Sequence, residues 1–149
     1  MRKKKIIPKD YLESAKKAFR LNELARAENL IKASIEENSS NPIAHAYYGE
    51  ILLALGRPEE AGDSYQLATE ICPEEGTFWH GLGLAKFREG SLGAGTNALR
   101  RAIELMPDNP EAHNNLGNLQ RESGNLRDAV SSYTRALELK SDFGEAFGN

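Results

Sequence analysis

The chain has 149 residues and a formal net charge of −3, with 28% charged and 40% hydrophobic residues. This composition is typical of one globular domain, and the negative charge argues against a nucleic-acid partner. No apolar run reaches the roughly 20 residues of a membrane-spanning helix, so we expect no membrane partner either. Cys72 is the only cysteine, which excludes an internal disulfide and favours a reducing, cytoplasmic location.

The chain begins with a basic tail, residues 1–7, in which one arginine and three lysines follow the first methionine. No apolar segment comes after these charges, so the tail does not resemble a secretory signal. A short run of like charges without an ordered partner surface is usually solvated. We therefore expect the tail to lie outside the folded domain.

From residue 8 onward the sequence repeats with a period of 34 residues. The period is visible in two series of small residues: Gly49, Gly83 and Gly117, and then Ala68, Ala102 and Ala136. It divides the chain into four units, 8–41, 42–75, 76–109 and 110–143. Residues 144–149 resemble the start of the fourth unit, so we expect them to begin a fifth.

Each unit is predicted to contain two helices joined by a tight turn. Asn41 before Pro42, and Asn109 before Pro110, suit the N-cap and the first position of a helix. The first helix of each unit is predicted to end at a residue that readily adopts the left-handed backbone conformation: Asn22, Gly56, Gly90 or Gly124. Short helices joined by short turns predict antiparallel helix pairs.

The repeat resembles the tetratricopeptide repeat, whose unit carries the pattern W-x₂-L-G-x₂-Y, then A-x₃-F, then P. The third unit has Trp79, Leu82, Gly83 and, later, Pro107, whereas Ser141 replaces the proline of the fourth unit. The resemblance covers nearly the whole chain. It implies an all-α tetratricopeptide-repeat solenoid of antiparallel helix pairs that forms a right-handed superhelical arc.

In this family the first helices line the concave side of the arc, where a partner segment binds. The inward positions of the family carry these residues here: Lys16, Phe19, Tyr47, Glu50, Leu53, His80, Leu84, Phe87, Asn114, Asn115, Asn118 and Arg121. We expect Leu53, Leu84 and Phe87 to form an apolar floor. The resemblance therefore implies a protein–protein interaction module that binds a peptide or protein segment in this groove.

The sequence contains no catalytic motif and no phosphate-binding loop, so we expect neither an enzyme nor a cofactor. His45, His80 and His113 lie about one unit apart on first helices. Neighbouring helices are about 10 Å apart, too far for three imidazoles to bind one metal ion at about 2.1 Å. The alternative function is a substrate-selecting arm of a larger enzyme, such as a glycosyltransferase, sulfotransferase or methyltransferase.

Two binding modes of the family can be compared with this groove. The carboxylate clamp of chaperone adaptors does not fit, because Lys16, Tyr47 and Gly81 stand where the clamp needs other residues. The groove is more similar to the repeat arm of O-linked N-acetylglucosamine transferases, in which a ladder of asparagines binds a peptide backbone. Asn115 and Asn149 occupy the ladder position here, and an amide can donate and accept at once.

The C-terminal end of the predicted arc is a second candidate interface. Without a further helix, apolar residues of the last pair are expected to be partly uncovered: Leu119, Val130, Tyr133 and Leu137. Exposed apolar patches of this kind favour association, so two chains are expected to cover each other's ends. The alternative is that the phenylalanines at 143 and 147 fold back over this end.

Overall fold

The computed structural model describes residues 10–147, with side chains described as far as residue 141. These residues form eight α-helices and no strand. The helices are α1 (Tyr11–Arg20), α2 (Leu24–Glu37), α3 (Pro42–Ala54), α4 (Pro58–Ile71), α5 (Gly76–Glu89), α6 (Leu92–Leu105), α7 (Pro110–Glu122) and α8 (Leu126–Phe147). The predicted basic tail at residues 1–7 lies outside the described part of the chain.

The helices pack as four consecutive pairs. Within each pair the first helix contacts the second, and each second helix also contacts the first helix of the next pair. Because every pair covers only its neighbours, the described chain is an all-α solenoid, as the repeat predicts. The first helices α3, α5 and α7 also contact one another in sequence, and together with α1 they form one side of the arc.

The turns inside the pairs confirm the predicted ends of the first helices. Gly56, Gly90 and Gly124 have φ angles of 74°, 89° and 80°, and Asn22 has a φ of 59°. In this left-handed region a β-carbon is strained, which is why glycine is preferred and asparagine is the next best choice. The helix starts agree as well, since the side chain of Asn109 accepts a hydrogen bond of 3.0 Å from the Ala112 N–H.

Small residues occupy the closest helix crossings. Ala61, Ala68 and Ala102 are fully buried, and Ala136 is 3% exposed. Their positions recur every 34 residues, so the same crossing is built in each pair. Larger side chains fill the remaining volume, among them Leu99, which is fully buried.

Helix α8 differs from the predicted arrangement. It runs without a break from Leu126 to Phe147, so residues 144–147, expected to begin a fifth unit, continue the last helix. Ser141 stands where the second and third units have Pro73 and Pro107, and serine does not stop a helix as proline does. Serine does not by itself prolong a helix, since α2 of the first unit ends at Glu37, before Ser39. The side chains of residues 142–147, including the phenylalanines proposed to fold back, lie outside the described part.

Candidate peptide-binding groove

A cavity of about 640 Å³ opens on the side formed by the first helices. Six of the predicted groove residues line it: Phe19, Tyr47, Glu50, Leu53, His80 and Leu84. Ten further residues complete the lining: Ile43, Ala46, Ala54, Tyr65, Thr77, Phe78, Gly81, Arg88, Asn109 and Glu111. The cavity therefore has mostly apolar and aromatic walls, with a few charged groups.

Tyr65 reaches the cavity from the second helix α4, where the sequence pattern alone did not place a groove residue. Its ring lies between the backbones of Gly49 in α3 and Gly81 in α5. A β-carbon on Gly49 would lie 2.5 Å from Tyr65 Cε2, and one on Gly81 would be closer still. The two glycines thus allow the ring to lie between neighbouring first helices and to present one edge to the cavity.

Opposite charges act on the Tyr65 hydroxyl. Burial raises the pKa of Tyr65 well above its usual value, Glu50 raises it further, and Arg88 lowers it. The phenol therefore stays protonated at neutral pH and remains available as a hydrogen-bond donor.

Glu50 and Arg88 are the charged groups best placed to meet a ligand. Burial raises the pKa of the Glu50 carboxyl above its usual value. Within the described residues, neither Glu50 nor Arg88 has an ion-pair or hydrogen-bond partner. Glu50 nevertheless keeps a solvent-exposed surface, so its desolvation is only partial. A cation brought by a ligand would favour the ionised carboxylate, because opposite charges attract.

His80 and Asn115 join the third and fourth pairs by a hydrogen bond. Asn115 Nδ2 lies 2.8 Å from His80 Nε2. Burial lowers the pKa of His80, and Glu111 opposes this only in part. At neutral pH the ring is therefore neutral, and its Nε2 accepts the bond that the Asn115 amide donates. Of the two asparagines predicted to form a ladder, Asn115 already makes a hydrogen bond within the chain. Asn149 lies outside the described residues.

Other predicted groove residues are also held by contacts within the chain. Lys16 Nζ lies 5.0 Å from the centre of the Tyr47 ring and 3.1 Å from a Glu13 carboxylate oxygen. Asn118 accepts a hydrogen bond of 2.6 Å from the Tyr133 hydroxyl. These side chains brace the groove at its two ends, on either side of the cavity.

Three more predicted residues lie outside the cavity lining, as Lys16, Asn115 and Asn118 do. Phe87, expected in the apolar floor, is partly buried and packs against a buried cluster of Leu99, Leu116 and Leu119. Arg121 is exposed and pairs with its neighbour Glu122 at 3.3 Å, and Asn114 is half-buried on α7. The cavity consequently occupies the middle of the predicted groove, and its floor retains Leu53 and Leu84.

The remaining histidines have structural hydrogen bonds. His45, Trp79 and His113 occupy the same position in successive units, and each ring nitrogen lies 2.7–2.8 Å from the carbonyl oxygen six residues earlier. For both histidines this contact requires the proton on Nε2. No group of three potential metal ligands occurs in the part of the chain that the structure describes. Over the same residues, no helix combines the length and apolar character needed to cross a membrane.

Similarity to solved structures places this arrangement among known folds. MamA from Desulfovibrio magneticus RS-1, from residue 41 to its end, superposes with a TM-score of 0.86 at 20% identity, covering 93% of this chain and 78% of that one. A second crystal structure of MamA gives 0.85 at 18% identity, covering 91% and 79%. The first TPR of Spaghetti (RPAP3), bound to the HSP90 peptide SRMEEVD, gives 0.75 at 20% identity, covering 76% and 90%. At these identities the similarity shows the fold.

Sequence comparison identifies the repeat itself. Profiles described as tetratricopeptide repeat match residues 12–75 and 110–143, and a third, described as TPR repeat, matches residues 87–124. No match is found among curated protein sequences. The profiles together extend over all four helix pairs, and the superposed structures share their all-α solenoid. The chain therefore belongs to the tetratricopeptide-repeat family.

Proposed function

We propose that the chain is a non-catalytic interaction module whose concave groove binds a peptide segment of a partner protein. The observation that supports this most directly is the cavity of about 640 Å³, which combines apolar walls with charged groups that have no partner in the described chain. Such a combination is typical of sites that anchor an apolar side chain and orient it by a few polar contacts. A structure with the same fold, the first TPR of Spaghetti, was solved with a bound peptide.

The lining indicates the chemistry of the ligand. Phe19, Leu53 and Leu84 offer an apolar surface for one anchoring side chain. Glu50 favours a basic group of the ligand, because it has no cationic partner of its own. Arg88, which also lines the cavity, favours an acidic group or a backbone carbonyl. We therefore expect a segment with an apolar residue next to a basic one.

The same contacts argue against recognition of a C-terminal acidic motif by a carboxylate clamp. Such a clamp requires several cations and amides that converge on one carboxylate. In this chain Lys16 is already engaged by Glu13 and Tyr47, and Gly81 has no side chain to contribute. The ligand of the Spaghetti structure is for this reason not the ligand expected here.

Selection from a displayed peptide library, with the intact chain as bait, tests the proposed function. Enriched peptides are then measured by fluorescence anisotropy against wild type, Leu84→Lys and the control Leu67→Lys. Leu84 lines the cavity, whereas Leu67 is 45% exposed on α4 and does not line it. Leu84→Lys should weaken binding by about tenfold or more, which corresponds to ~1.4 kcal/mol. Failure to enrich any peptide, or equal binding by both variants, would refute the groove as the site.

A second variant tests the expected basic group. Glu50→Gln keeps the shape of the side chain and removes its charge, so binding of a peptide with lysine or arginine should weaken by about tenfold. Replacing that basic residue of the peptide by glutamine should cost little further, because the pair is already lost. Enriched peptides without any basic residue would contradict this part of the proposal while leaving the groove intact as a binding site.

A further inference from the structure

An apolar stripe follows one face of α8. It consists of Leu126, Val130, Tyr133 and Leu137, whose spacing places them within one side of a helix. Leu126 is 63% exposed, and Val130 and Leu137 are each 64% exposed, while Tyr133 is half-buried. Leu119, expected from the sequence to be uncovered with them, is fully buried, so that part of the prediction was wrong. The residues of the stripe therefore remain exposed, whereas Leu119 does not.

The preceding repeat shows what normally covers this face. The residues 34 positions earlier include Leu92, Leu99 and Ile103 on α6. Leu99 is fully buried, and Leu92 and Ile103 pack around it against Leu116 and Leu119 of α7. A helix in the place of α7 therefore buries this face in an interior unit. Within the described chain, no helix takes that place beside α8.

The opposite end of the solenoid has a different character. Asp10 and Lys17 are exposed at the start of the first pair. One repeat later the same positions hold Ala44 and Ile51, which are fully buried against the preceding pair. If the first pair of a second copy covered the stripe, Asp10 and Lys17 would be buried against apolar side chains at a high desolvation cost. Head-to-tail stacking of copies is therefore disfavoured.

Charges beside the stripe favour a symmetric contact. Arg127 follows Leu126 and Glu138 follows Leu137, so both lie on the same flank of the stripe, about 100° further around the helix. Consider two antiparallel α8 helices related by a two-fold axis perpendicular to them. The same flank of each helix then meets its copy, and the N-terminal end of one helix lies beside the C-terminal end of the other. Arg127 then faces Glu138 of the partner subunit, and the contact occurs twice. Arg127 has no ion-pair partner among the described residues, whereas Glu138 also pairs with Arg135 of its own chain at 3.4 Å.

We propose that two copies of this chain associate through α8, with their stripes antiparallel across a two-fold axis. Each copy covers the apolar face that a further first helix covers in the interior of the solenoid. The contact is isologous and closes on itself, so it gives a dimer and not a filament. It uses no residue of the cavity and is independent of the proposed peptide binding.

Sedimentation velocity over a wide concentration range tests the dimer with the intact chain. The 16.5 kDa chain should pass from monomer to a species of twice that mass as its concentration rises. Val130→Glu should abolish the dimer, because it places a charge in the apolar contact, whereas Leu67→Glu, at an exposed leucine of α4, should not. Circular dichroism should show both variants folded, since both side chains are largely exposed.

Charge reversal tests the orientation. Arg127→Glu should weaken the dimer by about tenfold, because two attractive pairs become repulsive. Adding Glu138→Arg should restore it in part, since the pairs between copies are re-formed with opposite polarity while Arg135 loses its partner within the chain. Assemblies that grow without limit, a dimer indifferent to Val130→Glu, or no restoration by the double reversal would each overturn the proposal. A chain that remains monomeric throughout would also overturn it.

Discussion

Because the Tyr65 ring lies between two glycines, replacing glycine by alanine is predicted to have opposite effects on stability at Gly81 and at Gly93. Gly81→Ala adds a methyl group against a ring that is 4% exposed and is held on its other side by Gly49. The gain in helix propensity is about 0.5–1 kcal/mol, whereas overpacking of this kind costs about 1–3 kcal/mol. We therefore expect Gly81→Ala to lower the free energy of unfolding by up to ~2 kcal/mol.

Gly93 provides the matched control. It is exposed in the first turn of α6, and no atom lies within 4 Å of the position that its β-carbon would take. Gly93→Ala keeps the propensity gain and meets no obstacle, so it should raise the free energy of unfolding by up to ~1 kcal/mol. Urea denaturation followed by circular dichroism measures both changes.

The result that would refute this reasoning is an equal, stabilising effect at both positions. It would mean that the Tyr65 ring moves aside at no cost. A double-mutant cycle gives the sharper answer, because Leu99 shows that leucine is accepted at the position of Tyr65 one repeat later. In a Tyr65→Leu background, the destabilisation by Gly81→Ala should largely disappear.

Three further predictions follow from burial. Ala102→Leu should destabilise the fold by about 1–3 kcal/mol in a urea melt, because Ala102 is fully buried at a helix crossing; an unchanged midpoint would refute the crossing. Phe87→Ala should destabilise the fold by about 2 kcal/mol, less than for a fully buried phenylalanine, and should lower the melting temperature. A loss of peptide binding without a lower melting temperature would show that Phe87 contacts the peptide. Partial burial raises the pKa of Glu50 above its usual 4.5, so ionisation of this group lowers stability as pH rises through the raised value; the effect is small because Glu50 is also exposed to solvent. Glu50→Gln should therefore raise the melting temperature at pH 7 and not below the usual pKa, and an equal shift at both would contradict the assignment.

The fold was predictable because its signals are local. A left-handed turn needs glycine or asparagine, so Asn22, Gly56 and Gly90 mark helix ends in any tertiary setting. The end of α8 was not predictable in the same way. Ser141 removes a stop signal without supplying a start signal for a new helix, and the sequence similarity of residues 144–149 to a unit start does not show that the backbone breaks there.

The groove was predictable only in part because its inward positions were assigned from single units. Tyr65 depends on two glycines in different units, and the relevant signal was Gly81, a residue without a side chain at an inward position. Phe87 shows the converse. It holds an inward position, yet its ring packs with Leu99 and α7, and this contact across units is not visible within one repeat.

Tyr65 and Tyr133 hold equivalent positions, and the difference between them shows what a following unit contributes. Tyr65 is enclosed by Gly49 and Gly81, and it lines the cavity together with Glu50 and Arg88. Tyr133 has a glycine contact on one side only, and its hydroxyl donates to Asn118, the counterpart of Glu50. The same tyrosine position thus contributes to a charged cavity wall inside the solenoid and makes a hydrogen bond within its own pair at the end of the solenoid.

Because the cavity and the α8 stripe share no side chain, Val130→Glu should leave peptide affinity unchanged, and Glu50→Gln should leave the dimer unchanged. A loss of both properties in either variant would show that the two surfaces are coupled through the helix pairs between them.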